Sequence, residues 1–67
     1  MKNLIKLERA RHNLTQAELA DRVNVSRQTI NAIETSKFIP STLLAFKIAQ
    51  VLQVTVDGIF QLEDSDW

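Results

Sequence analysis

The segment TQAELADRVNVSRQTINAIE, residues 15–34, decides the fold because it predicts two short helices joined by a tight turn. Thr15 and Glu18 form a capping box, in which each side chain accepts a hydrogen bond from the backbone N–H of the other residue. A helix is therefore predicted to begin at Gln16. Its apolar residues recur at spacings of three and four, which places them on one face. They are Leu19, Ala20 and Val23.

The second helix of this segment follows Ser26, which is a favourable N-cap residue. Asn24 tolerates a left-handed backbone and ends the first helix, while apolar Val25 fills the turn. Ile30 and Ile33 supply the buried pair of the second helix. The other side chains of its first turn and a half carry groups that can hydrogen-bond the edges of nucleic-acid bases. They are Arg27, Gln28, Thr29 and Asn31.

The chain has 67 residues, no cysteine and one glycine, and we expect a single domain over residues 1–67. Neither a disulfide framework nor a cysteine-based zinc site is available, and no glycine-rich loop could cradle a phosphate. His12, the only histidine, is expected to be a solvated residue at a helix end rather than a ligand. We therefore predict no enzyme activity, no metal and no cofactor. Without a long apolar run, the sequence predicts a cytoplasmic protein with no membrane partner.

Formal net charge is zero, but the charges are unevenly distributed. Residues 1–40 contain seven basic and four acidic side chains, whereas residues 41–67 contain one basic and four acidic side chains. The half with a net charge of +3 is the half that holds the 15–34 segment. This distribution favours a polyanionic partner despite the neutral total.

Outside this segment, the pattern predicts three more helices. Asn3 is expected to cap a helix from Leu4 to about His12, with Leu4, Ile5 and Leu7 on its apolar side. Ser41 is expected to cap a helix over residues 42–52, and Thr55 a short helix over residues 56–60. The fold class is therefore all-α with five helices. The acidic tail lacks a helical pattern and predicts at most one short strand, and Trp67 lies either over a subunit contact or in a disordered end.

Polar residues around the two central helices are candidates for phosphate contact. Gln16 is at the N-terminus of the first central helix, where its side chain can reach a phosphate, and the N-cap residues Thr15 and Ser26 are further candidates. Four further candidates follow the second helix closely. They are Thr35, Lys37, Ser41 and Thr42. The alternative for these four residues is a solvated turn.

The helix over residues 42–52 carries more apolar surface than one core face needs. One stripe at helical spacing is expected to face the core, made of Leu44, Ala45, Ile48, Ala49 and Leu52. Leu43 and Phe46 fall outside its buried stripe, and Phe60 and Leu62 are candidates for the same patch. Contiguous exposed apolar residues on a small chain commonly mark an interface. We therefore predict a homodimer contact at these four residues, with a wide core stripe as the alternative for Phe46.

These features resemble the lambda-repressor-like, Cro-type (XRE) helix-turn-helix family, in its small stand-alone form. The resemblance extends from Gln16, Ala20 and Val25 through VSRQTINAIE to Pro40 and the KIA of residues 47–49. It departs at Asn24 and Ser36, where the family often has glycine, so both residues are expected at positive φ.

The resemblance implies a five-helix DNA-binding domain with its motif at residues 16–34, and it suggests that the two ends of the chain pair as a short β ribbon. It also implies an ion pair between Arg9 and Glu34, although Arg9 could instead contact phosphate. The function implied is a sequence-specific transcriptional regulator, a repressor that binds a palindromic operator in double-stranded DNA as a dimer. The alternative is a protein-binding module such as an antitoxin or an adaptor.

Overall fold

Five α-helices follow one another along the chain in the computed structural model, which describes all 67 residues. They are α1 (Ile5–Arg11), α2 (Gln16–Arg22), α3 (Arg27–Glu34), α4 (Thr42–Val51) and α5 (Val56–Ile59). The predicted five-helix architecture is confirmed. None of these helices has the length and hydropathy that crossing a lipid bilayer requires.

Four of the five helices are capped at the N-terminus by a serine or threonine hydroxyl. At each N-cap the side-chain oxygen accepts the backbone N–H three residues further along, over 3.0 to 3.2 Å. These N-caps are Thr15, Ser26, Ser41 and Thr55, all four as predicted. At Thr15 the capping box is complete, because Glu18 Oε1 accepts the Thr15 N–H over 2.9 Å. The starts of α2 to α5 are thus determined by local sequence.

Left-handed residues follow the first four helices. Asn13, Asn24, Ser36 and Gln53 have φ between 54° and 61°. The expected positive φ at Asn24 and Ser36 is confirmed, whereas positive φ at Asn13 and Gln53 was not predicted. Such a backbone costs a residue with a Cβ atom roughly 1 kcal/mol, with Asn the most tolerant. All four residues lie in the connections between consecutive helices, where the chain changes direction.

The core lies where α1 to α5 converge. Isoleucine and leucine side chains dominate it, and those with no exposed surface come from all five helices or the residues next to them. These are Ile5, Leu19, Ile30, Ile48, Leu52 and Ile59. In α4 the predicted stripe is confirmed, since Ala45, Ile48, Ala49 and Leu52 are buried and Leu44 is half-buried. The apolar sides of α2 and α3 therefore pack into the core, and the polar sides of both helices lie at the surface.

The first helix differs from its prediction. It begins at Ile5 rather than Leu4, because Asn3 lies in an extended strand and its Oδ1 accepts the Ile5 N–H over 3.2 Å. Leu4 and Leu7 are 37% and 48% exposed, so Ile5 alone supplies the apolar contact predicted for all three. The buried face of this two-turn helix also holds Glu8, which pairs with Arg11 over 3.1 Å.

The two ends of the chain meet in an antiparallel ribbon, as the resemblance suggested. Its strands are β1 (Lys2–Asn3) and β2 (Phe60–Gln61). Asn3 Nδ2 also donates to the Ile33 carbonyl over 2.9 Å, which joins the ribbon to the end of α3.

A short 3-10 helix, Asp64–Asp66, follows the ribbon. The Met1 α-amino group donates a hydrogen bond to the Asp66 carboxylate, and this hydrogen bond raises the pKa of the amino group. The pattern of the tail did not predict this helix.

Two residues that were predicted to be exposed, Phe60 and His12, are buried or half-buried. Phe60 is only 7% exposed and belongs to the core, because its strand pairing turns the ring inward, away from any exposed patch. His12 is half-buried rather than solvated, and its Nε2 lies 2.7 Å from the Leu52 carbonyl oxygen. Since a carbonyl only accepts, Nε2 must carry the proton. His12 thereby joins the end of α1 to the end of α4.

Candidate nucleic-acid interface

The second and third helices cross closely and present one polar face. Ala20 at the crossing is 2% exposed, and its carbonyl accepts the Val25 N–H over 3.0 Å to close the turn. A small side chain at position 20 lets the two backbones approach. Ile30 and Ile33 on the inner side of α3 are buried, so the outer side of α3 must be its polar one.

The four predicted base-reading residues lie on or beside the outer side of α3. Arg27, Gln28 and Asn31 are exposed, whereas Thr29 is half-buried and its Oγ1 lies 3.0 Å from Ser26 Oγ. No aromatic or large aliphatic side chain stands among them. This face can therefore offer hydrogen bonds but no apolar anchor.

Some of the predicted phosphate-contacting side chains already form hydrogen bonds within the chain, and others are exposed without one. Three hydroxyls already accept backbone N–H groups as N-caps, those of Thr15, Ser26 and Ser41. Thr35 Oγ1 donates to the Asn31 carbonyl over 2.9 Å, so it stabilises the end of α3. Lys37 and Thr42 are exposed. The backbone N–H of Thr15 is engaged by Glu18, and this hydrogen bond holds the pKa of the Glu18 carboxyl below its usual range.

The Arg9–Glu34 ion pair predicted from the resemblance is confirmed. Arg9 Nε lies 2.6 Å from Glu34 Oε2, and Nη2 lies 3.1 Å from Oε1. Both side chains are largely buried, with 13% and 6% of their surfaces exposed. Arg9 Nη1 also donates to the Leu14 carbonyl over 2.9 Å. Each of the three guanidinium nitrogens of Arg9 donates inside the protein, so Arg9 has the structural role that the resemblance implies.

Gln16 connects this buried pair to the outer face. Its Nε2 donates to Glu34 Oε1 and to Asn31 Oδ1, each over 3.1 Å. Its Oε1 accepts from Arg27 Nη1 over 3.3 Å. Gln16, predicted only as a phosphate contact, therefore also holds two of the predicted base-reading side chains.

Comparison with known proteins identifies the architecture. The sequence profile of the family described as "Helix-turn-helix" matches residues 5–59. The chain belongs to the helix-turn-helix family. An uncharacterized HTH-type transcriptional regulator of Methanocaldococcus jannaschii is 54% identical over 66 residues, covering 98% of this chain and all of that protein. The HTH-type transcriptional regulator YgzD of Bacillus subtilis is 41% identical over 66 residues, with the same coverage of both chains.

Solved helix-turn-helix proteins have similar structures. The P22 c2 repressor in complex with synthetic operator 9T superposes with a TM-score of 0.76 and is 28% identical, over 79% of this chain and 80% of that chain. The SinR protein/SinI protein complex gives a TM-score of 0.78 at 25% identity, over 94% of this chain and 62% of that chain. The lambda-repressor-like fold predicted from the sequence is thereby confirmed.

The α4 patch, defined as Leu43 and Phe46, lies outside the helix-turn-helix motif. These side chains are 66% and 60% exposed and line an open groove of about 380 Å³. The groove is completed by Arg22, Lys47, Gln50 and Val51. Leu62 is also exposed, but it lines a different groove with Lys2 and Glu63. Of the four predicted interface residues, the structure therefore brings together only Leu43 and Phe46.

Sequence reasoning missed the links from Gln16 to the helix-turn-helix face. A signal was present, because Arg27, Asn31 and Glu34 occur at spacings of four and three and so share one side of α3. A glutamine at the start of the preceding helix is long enough to reach that side. The pattern alone did not show that all three would converge on one amide.

Proposed function

We propose that this helix-turn-helix protein is a sequence-specific transcriptional repressor that binds a palindromic operator in double-stranded DNA as a homodimer, in the cytoplasm and without enzymatic activity. One observation carries the proposal. The outer side of α3 exposes Arg27, Gln28 and Asn31, while its apolar side is fully used in the core. A helix of this kind fits the major groove of B-DNA, where each base pair presents a distinct pattern of donors and acceptors.

Docking on phosphates would position this helix. Lys37 lies in the loop after α3, and Thr42 is the first residue of α4. Both are exposed. The other proposed phosphate contacts are Gln16 and the hydroxyls of Thr15, Ser26, Thr35 and Ser41. Contacts to phosphate fix orientation, whereas contacts to base edges carry the sequence preference.

A homodimer formed through the α4 patch would have two-fold symmetry and would therefore bind a palindromic operator. The relation to the P22 c2 repressor, solved on a synthetic operator, supports the repressor assignment. A two-fold dimer places its two reading helices in half-sites about one helical turn, roughly 34 Å, apart. The half-sites are then inverted copies of one another.

The rival function is binding of a protein partner through the same face of α3. Protein interfaces are commonly anchored by aromatic or large aliphatic side chains in the buried centre of the contact. The outer side of α3 has Arg27, Gln28 and Asn31 in that position instead. This composition favours DNA over protein as the partner.

A salt titration of binding to duplex DNA tests the proposed docking. Lys37→Ala is expected to weaken binding to all duplexes and to reduce the slope of log affinity against log salt concentration by about 0.9, the value for one phosphate contact. Lys6→Ala is the matched control, because Lys6 is an exposed cation on α1 outside the proposed contacts. It should leave the slope unchanged. Affinity independent of salt would contradict the proposal and favour the protein-binding rival.

A further inference from the structure

The segment of residues 62–67 is ordered, yet it exposes a large aromatic ring. Asp66 Oδ1 accepts a hydrogen bond from the Met1 α-amino group over 2.9 Å. The Trp67 N–H donates to the Asp64 carbonyl over 3.3 Å. The Trp67 side chain is nevertheless 92% exposed. Ordering a segment costs conformational entropy, which burial of this indole within the single chain does not offset. An aromatic side chain that is held ready in this way is typical of a binding surface.

The groove beside the α4 patch is apolar and cationic. Leu43 and Phe46 are more than half exposed, and the two charged side chains of the groove, Arg22 and Lys47, are exposed as well. Neither cation forms an ion pair within the chain, and no acidic side chain lines the groove. An occupant that complements this groove therefore combines a large apolar side chain with a negative charge.

The 62–67 segment has both of these properties. Leu62 and Trp67 are 64% and 92% exposed, and the Asp64 carboxylate between them is exposed and forms no ion pair. The segment and the groove are two different surfaces of one chain. In a two-fold dimer such surfaces meet twice, because each subunit offers its own segment to the other and receives the other's in return.

We propose that, in the homodimer, the 62–67 segment of each subunit occupies the α4 groove of the other subunit. The Trp67 ring packs on the α4 patch, and the Asp64 carboxylate faces Lys47. Arg22 supplies a second cation, and a guanidinium stacks favourably on an indole ring. Leu62, which lies apart from the α4 patch in one chain, then joins the same interface from the other subunit. This inference rests on the homodimer of the proposed function.

Tryptophan fluorescence measured against protein concentration tests the occupant of the groove. Trp67 is the only tryptophan, so the emission reports this segment alone. We expect the emission of a water-exposed indole in the monomer and a shift to shorter wavelength as sedimentation shows the dimer to form. Emission that stays constant while the dimer forms would contradict the inference. A short-wavelength emission at every concentration would also contradict it, because the ring would then contact its own chain.

Trp67→Ala is expected to weaken dimerisation at least about a hundredfold. Truncation of a buried aromatic residue at the centre of an interface is among the costliest changes, and a two-fold dimer loses two such rings. Trp67→Phe keeps an aromatic ring and should weaken dimerisation less. Leu7→Ala is the matched control, because Leu7 is an exposed apolar residue on α1, and it should leave the dissociation constant unchanged. A dissociation constant that Trp67→Ala does not change would overturn the inference.

An exchange of charges tests the placement of the segment in the groove. Lys47→Glu and Asp64→Lys should each weaken dimerisation about tenfold, and the two together should recover most of the loss. Asp57→Lys is the matched control, because Asp57 is an exposed carboxylate on α5; combined with Lys47→Glu it should give no recovery. A Lys47→Glu, Asp64→Lys double variant as weak as the single variants would contradict the placement.

Failure of this inference and failure of the proposed function give different results. If Trp67→Ala leaves a dimer that still binds the operator, the inference is wrong and the proposed function stands. If dimerisation depends on Trp67 but the dimer prefers no DNA sequence, the contact stands and the proposed function is wrong. A wild type that is monomeric at tens of micromolar would overturn the inference together with the proposed homodimer.

Discussion

Replacing Arg9 with methionine is expected to lower the free energy of unfolding by about 3 to 5 kcal/mol. The substitution leaves the Glu34 carboxylate buried, with 6% of its side chain exposed, and removes both hydrogen bonds that Arg9 gives it. Breaking one partner of such a pair is costly because the other charge stays away from water. A chain this small commonly has only about 3 to 5 kcal/mol in total, so the variant should be largely unfolded.

Urea denaturation followed by circular dichroism measures this effect. Lys6→Met is the matched control on the same helix, since Lys6 is exposed and forms no ion pair; its effect should stay within about 0.5 kcal/mol. The double variant Arg9→Met with Glu34→Leu should recover most of the loss, because apolar replacement of a whole buried pair is often neutral. A loss below about 1 kcal/mol for Arg9→Met would show that the pair is not a structural requirement.

Replacing Leu43 and Phe46 together with glutamine is expected to give a folded monomer with operator affinity lowered at least about a hundredfold. Each side chain, if buried in a dimer, contributes about 1.5 to 3 kcal/mol, and two-fold symmetry counts each one twice. Loss of the dimer also removes the advantage of binding two half-sites at once. Both side chains are more than half exposed in the single chain, so the substitution should leave the fold intact.

Sedimentation and operator titration report the two consequences separately. Leu7→Gln is the control, because Leu7 is an apolar side chain on α1 that is 48% exposed and lies outside the α4 patch. It should remain dimeric with wild-type affinity. A wild-type protein that is monomeric at tens of micromolar, or a double variant that still dimerises, would reject the α4 patch as the interface.

Local signals explain why so much of the fold was predictable. The N-caps at Thr15, Ser26 and Ser41 act over three residues, and each side chain performs its role whatever lies elsewhere in the chain. Helical spacing likewise identified the buried faces of α3 and α4. The lambda-repressor-like resemblance added the long-range facts that local pattern lacks, among them the Arg9–Glu34 pair.

Apart from the start of α1, which depends on the nearby Asn3, the main features that the sequence did not predict are contacts between residues far apart in the sequence. Phe60 looked like a surface residue until its pairing with Asn3 placed it in the core. The Leu52 carbonyl that engages His12 lies forty residues away. Gln16 reaches Glu34 across eighteen residues, and no spacing rule joins a residue on α2 to one on α3. Such contacts depend on how helices pack, which a single sequence expresses only weakly.

Selection of bound duplexes from a random library, at fixed ionic strength and followed by sequencing, tests the central claim most directly. We expect enrichment of an inverted repeat with half-sites about one helical turn apart. Asn31→Ala should flatten preference at one base pair in each half, because the proposed function assigns base reading to this exposed residue of α3. An unenriched library, or a profile that does not respond to substitution on α3, would contradict the claim that this helix reads DNA.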